Sequence, residues 1–365
     1  MRPAIYQITR NALKHASTRA YSTEASNVRH LLTIGDLSTA EFSKLVLNAA
    51  AHKATAKAGR PPKLIRKKLT RQTVAMIFSK RSTRTRVSTE AAVTMMGGHP
   101  MFLGKDDIQL GVNESLYDTS KIISSMTSCI VARVGPHDDV ANLAKYSSVP
   151  VINALSNDFH PLQTIADFLT IHEAFKEQGV NSSGVVPDKL KIAWVGDANN
   201  VLFDLAIGCM KLGVDISVAT PPDYRIPETM MAFIKEQGKT APSPGTISEY
   251  FVPEEAVKDA NVIVTDTWVS MGQEEETQKR LKAFAGFQVT DELAKRGGAK
   301  TDWKFLHCLP RHPEEVSDEV MYGPRSLVFQ EGENRLWAAV AALEGFVAKK
   351  GRFVFDNPSP NGGGI

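Results

Sequence analysis

The segment SKRSTRTR, residues 79–86, concentrates positive charge and hydroxyl groups in a pattern that suits an anion. An apolar run, Thr73–Phe78, precedes it and has the length and composition of a buried parallel strand. Where a helix follows such a strand, the unpaired N–H groups of its first turn and its dipole attract a negative group. Arginine can grip a phosphate with two parallel hydrogen bonds, which lysine cannot. The donors that we assign to a phosphate are Ser82, Thr83, Arg84 and Thr85.

This basic segment has competing interpretations. A solvated basic turn, or a nucleic-acid patch over residues 60–86, would carry the same charges, but few aromatic residues interleave there for bases to stack on. The GxxxxGK[ST] pattern of a Walker P-loop is absent from the sequence. The turn WVGDANNV, residues 194–201, has one glycine where the dinucleotide fingerprint GxGxxG needs three. ATP and NAD are therefore disfavoured.

Short apolar runs alternate with helical patterns, which predicts βαβ units and parallel sheets. The predicted strands are residues 73–78, 101–104, 129–134, 149–155, 191–197, 215–220, 261–268 and 304–309. The predicted helices are one capped by Ser38 or Thr39 and those at residues 86–96, 112–126, 161–177, 201–213, 254–260 and 333–350. We expect an α/β fold of two doubly wound domains with parallel sheets, joined by two interdomain helices.

The Gly- and Ser-rich stretch 178–189 predicts a boundary between the domains. We expect the first domain to span residues 30–178, with the C-terminal helix 334–349 packed back on it, and the second to span residues 185–330. Ligands of open parallel sheets bind beyond the carboxyl ends of the strands. Because each unusual motif follows an apolar strand, we expect the motifs to meet in the cleft between the domains.

Five motifs, in chain order, resemble the aspartate and ornithine carbamoyltransferase family. SKRSTRTR resembles its carbamoyl phosphate signature, and FHPLQ (159–163) and HCLPR (307–311) match two further family motifs. GDANN (196–200) resembles the turn that meets the amino acid, and DTWVSMG (266–272) the loop beside it. The cysteine of HCLPR and the SMG loop are similar to the ornithine branch. The resemblance, over residues 30–345, implies carbamoyl transfer from carbamoyl phosphate to the side-chain amine of L-ornithine, giving L-citrulline for arginine biosynthesis.

The resemblance also implies roles on the carbamoyl phosphate side. Arg133 would lie between the phosphate and the carbonyl oxygen, His160 would contact that oxygen, and Gln163 would contact the carbamoyl amine. Arg335 and Leu309 complete the implied contacts. The sulfur of Cys308 would lie near the reacting amine, either as a thiolate that accepts a proton or as a group that only orients the amine. The implied catalytic residues are Cys308, Arg133 and His160.

On the amino-acid side the resemblance implies that Asn200 binds the α-carboxylate of ornithine. Asn199 is the alternative, because the spacing of the motif does not distinguish the two. Asp266 ends a predicted strand and would take the α-ammonium group. Ser270 and Met271 would contact ornithine from the loop, Met271 through its backbone.

The family forms homotrimers, so the resemblance implies a homotrimer without a metal or an organic cofactor. Family members often send a histidine into the neighbouring subunit's site from the position that Gln109 occupies here. Glutamine can donate a hydrogen bond there but cannot carry charge. Gln109 is therefore a candidate contact to the neighbouring subunit whose role stays open.

The N-terminal residues 1–25 resemble a mitochondrial transit peptide. They contain Arg2, Arg10, Lys14 and Arg19, are rich in Ser, Thr and Ala, and have no apolar h-region. We expect cleavage after Tyr21 and a location in the mitochondrial matrix; the alternative is a basic tail. The three cysteines are far apart in a chain of net charge +3, which favours a reducing compartment and no disulfide framework. We expect no nucleic-acid partner, and no apolar run reaches the roughly 20 residues of a membrane span.

Other functions remain open at this stage. A carbamoyltransferase could act on aspartate, putrescine or an acylated ornithine, although Asp266 favours an acceptor with a free α-ammonium group. A non-catalytic protein of the same fold could bind ornithine or phosphate. Against this alternative, the implied catalytic positions are filled by residues of the expected types.

Overall fold

The computed structural model describes residues 28–59, 65–105, 107, 114–269 and 276–353. The strands are β1 (Thr73–Phe78), β2 (His99–Gly104), β3 (Cys129–Arg133), β4 (Val151–Leu155), β5 (Lys191–Val195), β6 (Asp215–Ala219), β7 (Ile247–Tyr250), β8 (Val262–Thr265) and β9 (Lys304–His307). The helices are α1 (Thr39–Lys57), α2 (Thr83–Met95), α3 (Leu116–Met126), α4 (His137–Tyr146), α5 (Pro161–Phe175), α6 (Asn200–Leu212), α7 (Glu228–Gly238), α8 (Pro253–Val257), α9 (Thr277–Ala283), α10 (Asp291–Gly297), α11 (Asp318–Met321) and α12 (Val328–Leu343).

The strands form two parallel sheets, as the alternating pattern predicted. The first has the order β2-β1-β3-β4 and the second the order β7-β6-β5-β8-β9. Strand β3 is buried at every position because both faces of its sheet are covered. In both sheets the strand order reverses next to the first strand of the series, which creates a crevice at the carboxyl edge. The α/β class with two doubly wound parallel sheets is therefore confirmed.

Two helices cross between the sheets. Every residue of α5 from Pro161 to Ile171 is buried, because the helix packs on β4 of the first sheet and on α6 of the second. Helix α12 packs on α5, α2 and α1 and also contacts β9. Its C-terminus continues as a π-helical turn over Glu344–Ala348. A helical stretch that is apolar all round is typically buried, and residues 337–343 of α12 are apolar and all buried.

Two helices that carry predicted site residues begin earlier than the sequence predicted. Helix α2 begins at Thr83 rather than Arg86, because the Ser82 side chain caps it; the anion motif therefore forms the first turn of the helix. Helix α12 begins at Val328 rather than near residue 333, so Glu331 lies inside the helix. Strand β7 was not predicted, because its half-buried sequence ISEY lacks an apolar run. Among the described residues, no helix is long and apolar enough to cross a membrane.

Candidate active site

The anion motif lies at the carboxyl end of β1. The Ser82 hydroxyl accepts a hydrogen bond from the Thr85 N–H at 3.3 Å, which fixes the first turn of α2. Arg84 extends from this turn and donates to the carbonyl oxygen of Leu309, in the loop that follows β9. Thr85 is buried beneath it. The first turn of α2 therefore contacts, through Arg84, the loop that follows the second sheet's strand β9.

A second cluster joins the two crossing helices. Arg335 Nη1, on α12, lies 3.2 Å from His160 Nε2 at the start of α5. The same nitrogen donates to the Oε1 atom of Gln163, one turn into α5. Arg335 Nη2 lies 3.4 Å from the Thr85 hydroxyl. One guanidinium thus brings together three residues that the motifs had assigned to the carbamoyl phosphate side.

Arg133, the last residue of β3, is buried like Arg335, and with the half-buried Arg84 it makes three guanidinium groups in this region. Burial, together with the charges of neighbouring arginines, lowers the pKa of Arg133 and of Arg335 to about 10. Both arginines stay protonated at neutral pH. Three cations held this close in a poorly solvated site favour an anionic ligand strongly.

His160 is a neutral donor in this cluster. Burial, followed by the charges of Arg335, Arg133 and Arg84, holds its pKa well below the ordinary value. Since Arg335 can only donate, Nε2 must accept, and the proton of the neutral ring then sits on Nδ1. Nδ1 has no hydrogen-bond partner among the described residues, although it is buried. His160 therefore has a buried N–H group that no described residue accepts.

The opposite wall of the cleft is acidic. Asp266 follows β8 and accepts hydrogen bonds from Asn199 Nδ2 at 2.8 Å and from the Cys308 thiol at 3.0 Å. Burial and the neighbouring Asp266 carboxylate raise the pKa of Cys308 well above its ordinary value, so the sulfur carries its proton. An acidic wall facing a cationic wall can hold two ligands of opposite charge.

The two asparagines of GDANN make different hydrogen bonds. Asn199 caps α6, since its Oδ1 accepts from the N–H groups of Val201 and Leu202. Its amide nitrogen orients Asp266. Asn200 instead donates to the carbonyl oxygen of Ser156, beyond β4, at 2.6 Å. Both asparagines thus have structural partners, and the assignment of Asn200, with Asn199 as the alternative, to the α-carboxylate stays a prediction.

The loop after β9 is held by a buried glutamate. Glu315 accepts from His307 Nε2 at 3.0 Å, from the His312 N–H at 2.8 Å and from the Trp268 N–H at 3.2 Å. His307 Nδ1 in turn accepts from the Leu309 N–H at 2.9 Å, so its Nε2 is the protonated nitrogen. This network ties the HCLPR segment to the residues just before the SMG loop.

The structure thus brings together Ser82, Thr83, Arg84, Thr85, Arg133, His160, Gln163, Asn200, Asp266, Cys308, Leu309 and Arg335 around one cleft. Gln109, Ser270 and Met271 lie outside the described residues, as does the segment 1–25. Their roles stay predictions.

Two family models match the chain. One describes an aspartate/ornithine carbamoyltransferase carbamoyl-P binding domain and matches residues 29–173; the other describes the Asp/Orn binding domain and matches residues 188–345. The chain is 64% identical, over 93% of its length and 96% of the relative's, to a mitochondrial ornithine carbamoyltransferase of Emericella nidulans. The chain belongs to the aspartate/ornithine carbamoyltransferase family.

Other relatives of this family member, and solved structures, show the same agreement. It is 50% identical to an ornithine carbamoyltransferase of Saccharomyces cerevisiae, over 90% of the chain and 96% of the relative. A crystal structure of a mitochondrial ornithine carbamoyltransferase from Coccidioides immitis superposes with a TM-score of 0.84 at 63% identity, over 90% of this chain and 100% of that chain. The Pyrococcus furiosus ornithine carbamoyltransferase has a TM-score of 0.79 at 41% identity, covering 88% and 97%.

Sequence reasoning missed three acidic residues of this carbamoyltransferase-family site. Asp167 and Glu331 both contact Gln163, and Glu315 holds the HCLPR loop. Asp167 is four residues beyond Gln163, one turn along the same helix face, which was an available signal. Glu331 lies 168 residues from Gln163 in the chain, and no local pattern marks that contact.

Proposed function

We propose that the chain transfers the carbamoyl group of carbamoyl phosphate to the side-chain amine of L-ornithine, giving L-citrulline and phosphate. The proposal rests on one observation: the two sides of the cleft carry opposite charges. Arg84, Arg133 and Arg335 supply positive charge on one side, and the Asp266–Cys308 pair supplies an acidic wall on the other. The names of the relatives and the matching family models support the same reaction.

The cationic wall binds the phosphate and stabilises the transition state. The first turn of α2, with Arg84, holds the phosphate. The carbonyl oxygen gains negative charge as the amine attacks, and the N–H groups of Arg133 and His160 face it. One donor aimed at such an oxyanion contributes about 3–4 kcal/mol. The new C–N bond then replaces the C–O bond, whose electron pair leaves with phosphate, and the departing phosphate takes up the proton that the amine loses.

The acidic wall selects the amino acid. Asp266 pairs with the α-ammonium group, Asn200 with the α-carboxylate, and Ser270 and Met271 close on the ligand from the loop. Cys308 orients the attacking amine as a neutral thiol, because its raised pKa keeps the sulfur protonated at neutral pH and a protonated thiol cannot take up the proton of the amine. Putrescine and N-acylated ornithine lack the α-ammonium group that Asp266 needs.

The enzyme is a homotrimer of the mitochondrial matrix, imported through residues 1–25. In support of assembly, the first domain exposes large apolar side chains on α2, β2 and α3: Val87, Met101, Tyr117, Ile122 and Met126. Exposed apolar groups of this kind favour a protein partner. Gln109 is proposed to reach the neighbouring subunit. Sedimentation at micromolar concentration tests the trimer: a monomer would contradict it.

Residues 30–178 with the C-terminal helix form the carbamoyl phosphate domain, and residues 185–330 form the ornithine domain.

The decisive experiment is citrulline formation by the purified chain. Carbamoyl phosphate is supplied with ornithine, aspartate, putrescine or N-acetylornithine in parallel. Turnover with ornithine alone at high efficiency is the expected result. Faster turnover with another amine would redirect the substrate assignment, and no product with any of them would refute the catalytic proposal.

A further inference from the structure

The Gln163 amide is held by two buried carboxyl groups. Its Nε2 donates to Asp167 Oδ1 at 2.8 Å and to Glu331 Oε1 at 2.7 Å. An amide nitrogen has two hydrogens, so both are used. The remaining polar atom, Oε1, accepts from Arg335. All four side chains are at most 3% exposed.

These contacts permit one orientation of the amide. A flipped amide would place Oε1 against two carboxyl groups and Nε2 against the guanidinium of Arg335. Burial raises the pKa of Asp167 to about 7, and burial followed by the charge of Asp167 raises that of Glu331 well above its ordinary value. Both shifts favour the protonated form of a carboxyl group in this pair. The charged or titratable groups that face the pair are Arg335, Asp266, Cys308 and Cys209.

Glu331 makes a second contact that Asp167 does not. Its Oε2 accepts from the N–H of His307 at 2.9 Å, at the end of β9. Cys308 is the next residue, and its sulfur contacts Asp266. One carboxyl group thus connects the carbamoyl phosphate side, through Gln163, to the strand end that carries the thiol.

We propose that Asp167 and Glu331 are positioning residues that make Gln163 a dedicated acceptor for the carbamoyl N–H, and that Glu331 also sets the position of Cys308. This inference rests on the proposed function. Carbamoyl phosphate presents an –NH₂ group where acetyl phosphate, of nearly the same shape, presents a methyl group. The oxygen of the locked amide accepts from Arg335 and keeps a second lone pair, which can accept from the –NH₂ group of the first ligand and gains nothing from the methyl group of the second.

The test compares two ligands on matched variants. Calorimetry measures binding of carbamoyl phosphate and of acetyl phosphate to wild type, Asp167→Asn, Glu331→Gln and the double variant. The asparagine or glutamine introduced by these substitutions can offer Gln163 either an N–H or a C=O group. The Gln163 amide is then no longer held in one orientation. The expected result is a five- to tenfold fall in the preference for carbamoyl over acetyl phosphate, as for one hydrogen bond. General damage to the fold would weaken both ligands together.

Glu173→Gln is the control. Glu173 also lies on α5 and accepts from Asn334 on α12 at 3.0 Å, as well as from Lys53 at 2.8 Å, but it does not contact Gln163. Its substitution should lower thermal stability and leave the ligand preference unchanged. An unchanged preference in the double variant would overturn the inference; should that variant not fold, the two single variants decide the point by the same ratio.

Turnover separates the two carboxyl groups. Asp167→Asn should change the KM for carbamoyl phosphate with little change in kcat, whereas Glu331→Gln should also lower kcat, because the strand end with Cys308 shifts. Equal effects on kcat would overturn the role of Glu331 toward Cys308. Absence of citrulline from wild type would refute the proposed function, but the calorimetric preference would still test the lock on Gln163.

Discussion

Replacing Asp266 by asparagine tests the amino-acid side of the site most directly. Asp266 is 5% exposed, and its two oxygens accept from Asn199 at 2.8 Å and from Cys308 at 3.0 Å. In Asp266→Asn the remaining oxygen can keep the bond from Asn199, and the new amide nitrogen then faces sulfur, a weak acceptor. The fold should therefore survive while the negative charge is lost.

The expected loss is that of one hydrogen bond to a charged group, about 1.5–3 kcal/mol. Ornithine binding should weaken by about tenfold to a hundredfold. Carbamoyl phosphate binding should change little, since the other wall of the cleft holds it. Putrescine, which lacks the α-ammonium group, is the ligand control: its binding should be the same in both proteins. Asp215→Asn is the protein control, because it also replaces a hydrogen-bonded carboxylate. Asp215 lies at the start of β6 and accepts a hydrogen bond from the Thr246 hydroxyl.

A second readout follows from the thiol. After burial, Asp266 is the main cause of the raised pKa of Cys308. Removing its charge should lower that pKa, so alkylation of Cys308 by iodoacetamide should begin at lower pH in Asp266→Asn. Cys129 and Cys209 are buried and their pKa values are raised by burial, so they should contribute little. Wild-type ornithine affinity together with an unmoved alkylation profile would refute the role assigned to Asp266.

Three further predictions concern other parts of the molecule. Arg84→Lys should weaken carbamoyl phosphate binding about tenfold to a hundredfold by calorimetry, with an unchanged melting temperature, because a lysine cannot make the paired hydrogen bonds; unchanged affinity would remove the phosphate assignment. Deleting residues 1–21 should abolish import into isolated mitochondria and leave citrulline formation intact; an inactive truncated enzyme would contradict this. Burial raises the pKa of Asp204 to about 7, so the folded state binds more protons than the unfolded state between about pH 4 and pH 7 and stability falls as pH rises through that window. In Asp204→Asn the free energy of unfolding should fall less steeply with pH, by up to about 1.4 kcal/mol per pH unit in unfolding titrations. Parallel curves of unfolding free energy against pH for the variant and the wild type would contradict this prediction.

Local chemistry was readable from the sequence. The run Thr73–Phe78 followed by hydroxyls and arginines indicated a strand, an anion site and a helix, because strand burial and helix capping depend on neighbouring residues. Strand β7 escaped prediction because an edge strand buries little and its sequence shows no apolar period. The helix containing Arg335 was recognised, but its first turn was not, since its start at Val328 has no side-chain cap.

The sequence by itself determined the alternation of strands and helices, the order of the motifs and the residue types that each motif brings to the cleft. Only the tertiary structure decided which of them meet. Arg335 reaches Gln163 across 172 residues, and Arg84 reaches Leu309 across 225. Such contacts depend on how α5 and α12 cross between the sheets, which no short-range pattern encodes. The same packing buries Asp167 beside Glu331, so that their charges and the orientation of Gln163 are set by a neighbour distant in the chain.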